Sequence, residues 1–480
     1  MRYISTRGEA PPLDFVEVML AGLARDGGLY VPESWPRLDA PVIAAFAGRP
    51  YAEVATEVIR PFVGKAIADH ELARMAQEAY GGFRHPAVAP LTQLGVSTFL
   101  LELFHGPTLA FKDLAMQLIA RLMDHVLAQR GERITIVVAT SGDTGGAAVE
   151  AFRGRAQVDL VVLFPDGRIS DVQRRMMTTA TDDNVHALAI DGTFDDCQAI
   201  VKGMFNHQAF RDRVRLSGVN SINWARIVAQ VVYYVTAAVA LGAPHRKVAF
   251  TVPTGNFGDV YAGYVAQRIG LPIDRLMIAT NVNDILARTL ASGAYEVREV
   301  VPTTSPSMDI QVASNFERLL FEANARDPRV VRAAMGSLAQ SRRFVVSARA
   351  LAEMRTHFAA DRADEVETAA AIRTTLRETG RLVDPHTAVA LAVAEKDIHD
   401  PSLPMIVLAT AHPAKFPEAV AAACGMRPAL PDWLADLAER PERVTPLPAD
   451  QAAVERTILA ASRAAGAADQ KFSLSSAASP

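Results

Sequence analysis

The stretch HGPTLAFKD, His105 to Asp113, sets one lysine, Lys112, directly behind Leu109, Ala110 and Phe111. A lysine amine in apolar surroundings is less readily charged and can attack a carbonyl. On the local residues alone two readings stand: a nucleophilic amine, or a helix-entry lysine neutralised by Asp113, an acid that itself suits a helix start. Two glycine loops bear on the choice. Gly255-Asn256-Phe257-Gly258-Asp259 follows the strand-like VAFTVPT and opens a helix. Backbone amides at a helix start, approached closely over glycine, make a phosphate site. Ser141-Gly142-Asp143-Thr144-Gly145-Gly146 repeats the arrangement behind IVVAT, with hydroxyls at Ser141 and Thr144. The Gly255–Asp259 loop alone also reads as a plain strand-to-helix turn and lacks the Walker lysine and G-x-G-x-x-G spacing of a nucleotide site, and one such loop by itself is weak evidence. Together they suggest a small ligand with two anionic ends, a phosphate and a carboxylate. With a desolvated lysine, these are the parts that hold pyridoxal 5′-phosphate and an amino acid.

The elements around these residues predict how they are presented. Residues 1–95 read as mostly helical and loop-rich. From about residue 97 short apolar runs alternate with helical ones: VSTFLLELF, ITIVVAT, LVVLFP, VHALAI, KVAFTVPT, RLMIATN and MIVLAT as strands, with Asp113–Gly131, Asp195–Asn206, Ala225–Leu241 and Gly258–Ile269 among the helices. Strands apolar on both faces and separated by helices predict parallel sheets with crossover helices, an α/β fold. The expected organisation is 1–95 helical, 96–245 a smaller α/β domain with Lys112 and the SGDTGG loop, 246–465 a larger one with the GNFGD loop, and 466–480 a flexible tail. Residues 330 to 400 read as helical and Arg-rich.

Bulk properties narrow the classes. A chain of 480 residues, 50% hydrophobic and 21% charged, can bury a large core. The net charge of -4 and well-mixed acids and bases give no polyanion-binding surface, so no nucleic acid is expected. Two distant cysteines, Cys197 and Cys424, make neither a disulfide framework nor a Cys-rich metal site; no metal is expected. The N-terminus lacks a signal-peptide pattern, and the longest apolar run, Ile227 to Gly242, contains Gln230 and reads as a buried soluble helix. A cytoplasmic enzyme without a membrane partner, monomer or homodimer, is the expectation.

FHGPTLAFKD resembles the cofactor-lysine motif of the threonine synthases, fold-type II pyridoxal-phosphate enzymes of the tryptophan synthase β family. RYISTRG, GLARDGGLYVPE, TSGDTGGAA, FPDGRISDVQRRMMTT, DGTFDDCQAIVK, SINWARIVAQ, PTGNFGD, SMDIQVASNFERLLFE, DPHTAVAL and LATAHPAKFPEA match family blocks in family order, from Arg2 to about Ala419. They resemble the branch shared by yeast and many bacteria. The resemblance implies two open, mainly parallel sheets with helices on both faces. It implies that Lys112 forms the imine with pyridoxal phosphate, that Gly255, Asn256, Phe257, Gly258 and Asp259 bind its phosphate, and that Thr410 sets a hydroxyl against its pyridine nitrogen. Ser141, Gly142, Asp143 and Thr144 would face the substrate carboxylate, with Asn223 and Arg226 near the substrate phosphate. The implied reaction converts O-phospho-L-homoserine and water to L-threonine and phosphate, the work of a carbon–oxygen lyase. The alternative is a phospholyase giving 2-oxobutyrate and ammonia. Other readings stay open from the residues: Thr410 as a strand-end cap, His105 as a satisfied loop histidine or a proton shuttle, His412 as structural, Asn315 as a helix start, and Arg226 as the buried partner of a carboxylate.

Overall fold

The computed structural model describes residues 1–397 and 400–466; the expected tail, apart from Gly466, lies outside the described residues. The chain forms two compact units. The first comprises Met1–Met19, Leu23–Ala115 and Ser221–Leu430, and the second comprises Leu20–Gly22, Met116–Asn220 and the chain from Pro431 onward.

The first unit is built on a six-stranded sheet in the order Phe358–Arg362, Ile273–Thr280, Val248–Pro253, Met405–Ala409, Thr98–Glu102, Leu91–Gln93. Every pairing is parallel except that of the edge strand Leu91–Gln93, whose Thr92 stands opposite Leu100. Side chains alternate between the faces of a strand, so each strand needs cover on both sides. Ala249, Met277, Val407 and Leu100 meet Val389 and Val393 of the helix Pro385–Lys396 on one face. On the other, the Phe250 ring lies 4.7 Å from Tyr234 of the helix Trp224–Ala240. That helix contains the long apolar run; it is buried almost throughout, and no described helix is long and apolar enough to cross a membrane. The N-terminal region supplies the helices Phe15–Ala21, Ala40–Ala44, Tyr51–Val63 and Asp69–Tyr80, plus the strand pair Tyr3–Ser5 and Tyr30–Pro32.

The second unit carries a five-stranded parallel sheet in the order Thr445–Pro448, Val185–Asp191, Val158–Pro165, Ile134–Ala139, Leu216–Ser217. Its core joins Val137, Val161 and Leu188 to Cys197, Ile200 and Met204 of the helix Phe194–Asn206 and to Val454 and Ile458 of the helix Gln451–Ala461.

The α/β class and the parallel sheets agree with the sequence reading. The units differ from the expected 96–245 and 246–465 division: Lys112 belongs to the larger unit, and the C-terminal segment returns to complete the smaller sheet. The strand Phe358–Arg362 likewise lies inside the stretch read as helical. Its FAADR has no alternating pattern, and pairing with Ile273–Thr280 alone makes it a strand.

The C-terminal return is locked by charge. Buried Asp159 accepts from Arg463 Nε at 2.6 Å and from the Arg463 amide at 2.7 Å. Arg463→Ala leaves that carboxylate without its cation. The urea unfolding free energy of this unit is expected to fall by about 2 kcal/mol, less than for a fully buried pair because Arg463 is partly solvated. An unchanged urea midpoint would show that Asp159 finds other donors.

Candidate active site

Three neighbouring parallel strands of the larger sheet, Val248–Pro253, Met405–Ala409 and Thr98–Glu102, end at the same edge. Their carboxyl ends lead into Gly255–Asp259, Thr410 and the His105–Asp113 loop respectively. Ligands of open α/β sheets bind outside the carboxyl ends of strands. Neighbouring strands lie about 4.8 Å apart, so the outer two loops are separated by a span of order 10 Å with Thr410 between them.

The lysine loop is fastened to the neighbouring strand end. The Phe111 amide donates to the Thr410 carbonyl at 2.9 Å, the His412 amide donates to the Leu109 carbonyl at 3.0 Å, and Ala110 bridges Ala411. Leu109 takes a left-handed φ of 60° to make the bend. Lys112 is the first residue of the helix Lys112–Arg130 and is only 8% exposed, its Nζ 5.5 Å from the Phe111 ring centroid. A helix N-terminus is an unfavourable place for a cation. Asp113 follows Lys112 in the first turn, where an acid is favourable. It is buried and accepts from the Thr108 amide at 2.8 Å and the Thr108 hydroxyl at 2.6 Å, closing the loop. Buried Lys415 donates to the Thr108 carbonyl at 2.8 Å from the other side.

The glycine loop is a nest of amides. Among the described residues, the amides of Gly255, Asn256, Phe257, Gly258 and Asp259 have no backbone or side-chain acceptor, while the Tyr261 amide begins the helix by donating to the Phe257 carbonyl. Phe257 takes a φ of 64°, held by its ring, whose centroid is 5.6 Å from Phe316 and 5.5 Å from Phe358. Gly255 has no room for a side chain: a Cβ there would come 2.5 Å from the Ser307 carbonyl oxygen. The Asn256 carbonyl accepts from both the amide and the side chain of Asn315, at 3.1 and 3.0 Å. Arg318, fully buried, donates to Asn315 Oδ1, to the Tyr30 carbonyl at 3.0 Å and to the Ile222 carbonyl at 2.7 Å. Burial pushes its guanidinium down to about 10. Asp259 points its carboxylate inward, where Tyr233 and Tyr234 donate to Oδ1. Burial raises it to about 6, against the pull of those hydroxyls and of Arg226.

In the second unit, the Ser141–Thr144 loop opens the helix Asp143–Phe152. Gly142 adopts a φ of 133° hard against Gln173, so a side chain there is excluded twice over. The amides of Gly142 and Gly145 donate to the Thr140 hydroxyl at 2.9 and 3.0 Å, and Asp143 Oδ1 accepts from Gln173 Nε2 at 2.9 Å. The Gly142 amide is thus engaged within the loop, and the Asp143 carboxylate is engaged by the helix Asp171–Thr178. Ser141 and Thr144 are partly exposed.

Asn223 and Arg226, expected near the substrate phosphate, are both buried. Asn223 is wholly buried and caps the helix Trp224–Ala240: its side chain accepts from the Ala225 amide at 3.0 Å and donates to the Met19 carbonyl at 2.9 Å. Arg226 is buried behind the glycine loop, drawn electrostatically toward Asp259 and Tyr233. Both amide ends of Asn223 make bonds within the fold. His105 is a satisfied loop histidine, its Nε2 2.8 Å from Glu102, which also holds Thr92 and Arg381.

Family models match along the chain: threonine synthase N terminus over residues 2–80, pyridoxal-phosphate dependent enzyme over 84–363, and threonine synthase, C-terminal, over 387–458. The threonine synthase of Pseudomonas aeruginosa is 53% identical over 456 residues, 95% of this chain and 97% of that protein. The chain belongs to the threonine synthase family. The threonine synthase of Saccharomyces cerevisiae is 40% identical over 452 residues, 87% of this chain and 88% of that protein. Among solved structures, pyridoxal-phosphate-bound threonine synthase from Brucella melitensis superposes with a TM-score of 0.94 at 60% identity, covering 96% of this chain and 100% of that one. Yeast threonine synthase gives 0.90 at 37% identity, covering 96% and 98%. Pyridoxal phosphate is the cofactor of this family, and the loop fits it: five unaccepted amides at a helix start suit a phosphate ester, over a glycine that leaves no room for a side chain.

Thr140, Gln173, Ser307, Asn315 and Arg318 shape the loops; all five lie inside the family blocks TSGDTGGAA, FPDGRISDVQRRMMTT and SMDIQVASNFERLLFE, yet nothing in the residues themselves marked them as supports. Gly255→Val should drive the chain away from Ser307 and weaken cofactor retention by tenfold or more, order of magnitude; equilibrium dialysis against the cofactor measures it, and unchanged affinity would move the phosphate site elsewhere. His412 gives a pH prediction. Burial lowers it to about 4, so the folded state resists protonation. Its contribution is complete above the ordinary value near 6.5 and is lost as pH falls toward 4, up to about 3 kcal/mol. His412→Asn keeps an acceptor for the Ala414 amide and removes the titration. Urea unfolding at pH 7 and pH 4.5 should show a smaller acid loss in that variant.

Proposed function

We propose that this protein converts O-phospho-L-homoserine and water to L-threonine and inorganic phosphate. One observation carries the reading: in a chain of the threonine synthase family, the ends of three adjacent strands present a buried lysine, a hydroxyl and a nest of unaccepted amides along one sheet edge. Lys112 would hold the cofactor covalently, the amides of Gly255 to Asp259 would hold its phosphate, and Thr410 would meet its pyridine nitrogen. When bound, pyridoxal phosphate captures amines as imines and draws away the electrons left when an adjoining carbon loses its proton.

The chain's own residues do the rest. The Lys112 amine, released when the substrate amine takes its place, would take the proton from the substrate α-carbon and, being buried, keep it for return rather than lose it to bulk water. A second proton leaves the β-carbon, and the bond from the γ-carbon to the phosphate oxygen breaks. A water oxygen then bonds to the β-carbon, and protons return at the α- and γ-carbons. Hydrogen and oxygen balance as threonine and phosphate. The Thr410 hydroxyl, unlike a carboxylate, would not demand a protonated pyridine nitrogen, and so would temper the cofactor's electron withdrawal. The Ser141–Thr144 loop, through Ser141 and Thr144 and the amides of its helix start, is the proposed seat of the substrate carboxylate.

Incubation with O-phospho-L-homoserine and cofactor should release threonine and phosphate in equal amounts. 2-Oxobutyrate and ammonia without threonine would establish the phospholyase instead. Lys112→Ala should lower turnover by at least a thousandfold, order of magnitude, and borohydride should fix the cofactor to the native peptide containing Lys112 but not to the variant. Near-native turnover in Lys112→Ala would remove the lysine from the mechanism.

A further inference from the structure

The turn Pro306–Met308 is the wall against which Gly255 lies, its Ser307 carbonyl oxygen within 2.5 Å of where a Cβ would stand. One side chain on a distant element holds that wall. His386, on the first turn of the helix Pro385–Lys396, accepts the Ser307 amide on Nε2 at 3.2 Å. Its Nδ1 lies 2.7 Å from Asp384 Oδ2, and Asp384 is the cap of the same helix, also accepting from the His386 and Thr387 amides at 3.0 and 3.1 Å. Asp384 and His386 are 0% and 3% exposed. The bonds settle the tautomer from both ends. An amide can only donate, so Nε2 must be bare; a capping carboxylate can only accept, so Nδ1 must carry the proton. The ring is thus a rigid strut between a helix cap and a tight turn, with the Phe416 ring 4.9 Å away on its flank.

We propose that His386 is a positioning residue for the cofactor phosphate: by holding the Ser307 amide it keeps the Pro306–Met308 turn pressed on Gly255, and so keeps the amides of Gly255 to Asp259 converged. The inference rests on the reading of that loop as the phosphate seat. His386 acts through Ser307 and touches neither cofactor nor substrate. Without the acceptor the partly buried Ser307 amide loses its bond, the turn shifts toward another acceptor, and the glycine loop gains freedom that the phosphate must then overcome.

The test compares His386→Ala, His386→Asn and His386→Gln with Gly255→Val, in the full chain freed of cofactor, for binding of pyridoxal phosphate and of pyridoxal, read from the imine absorbance. Glutamine sets an oxygen near the Nε2 position; asparagine reaches only Nδ1. Alanine and asparagine should weaken pyridoxal phosphate about tenfold, the cost of one hydrogen bond lost at a partly buried amide. Glutamine should restore most of the affinity, and pyridoxal, which lacks the phosphate, should bind all three alike. Equal loss for both ligands, or a glutamine variant no better than asparagine, overturns the inference by making the histidine a general packing residue. Native affinity in His386→Ala with weakened binding in Gly255→Val overturns it and leaves the phosphate seat standing. Native affinity in both removes the seat, and the inference with it.

Discussion

Two backbone hydrogen bonds, Phe111 to Thr410 and His412 to Leu109, tie the lysine loop to the end of a different strand. The rest of the site depends on them. Lys112 heads a helix that leaves the larger sheet, and a helix alone does not fix its first residue in relation to other loops. The bridge makes the lysine loop a rigid extension of the sheet edge. The neighbouring strands then set the remaining distances, because parallel pairing leaves little freedom once three strands are in register. Asp113, Thr108 and Lys415 close the same loop from within, so the positions beside Lys112 serve geometry.

The glycine loop is held differently. Its amides must stay unaccepted to be of use, so it cannot be stabilised by its own backbone bonds. Support comes from its outer surface: the Phe257 ring in its aromatic pocket, Asn315 on the Asn256 carbonyl, Arg318 behind Asn315, and the Ser307 turn against Gly255. The buried charges behind the loop have partners. Arg318 has three carbonyl or amide oxygens, and Asp259 has two tyrosine hydroxyls and the field of Arg226. Such a preorganised shell costs stability where charges are desolvated, and it spares the ligand the work of ordering the loop.

Capping and catalysis draw on the same side chains, so motif residues do not declare their role locally. Asn223 in SINWARI stands at a helix start, as ligand residues often do, but its partner is the Met19 carbonyl, far away in sequence. Nothing local distinguishes an asparagine that caps from one that binds. Thr140 was passed over for the opposite reason: a strand-end threonine is commonplace, and only the fold shows its hydroxyl taking two amides of the SGDTGG loop.

The amino-acid sequence by itself determined the class of chemistry and the α/β architecture. A shielded lysine, two glycine loops at strand–helix junctions and short two-sided apolar strands are local patterns, and local patterns follow from residue type and spacing. The tertiary structure alone decided which segments share a sheet. Thr98–Glu102 pairs with Met405–Ala409, Thr445–Pro448 closes the smaller sheet, and Phe358–Arg362 becomes a strand by pairing with Ile273–Thr280. Each of these bonds joins positions distant along the chain, whose pairing follows from packing of the whole fold and leaves no periodic trace in either partner. For the same reason the Asp384–His386–Ser307 strut is invisible in DPHTAVAL and SMDIQVAS read separately, and exists once the helix and the turn are brought together.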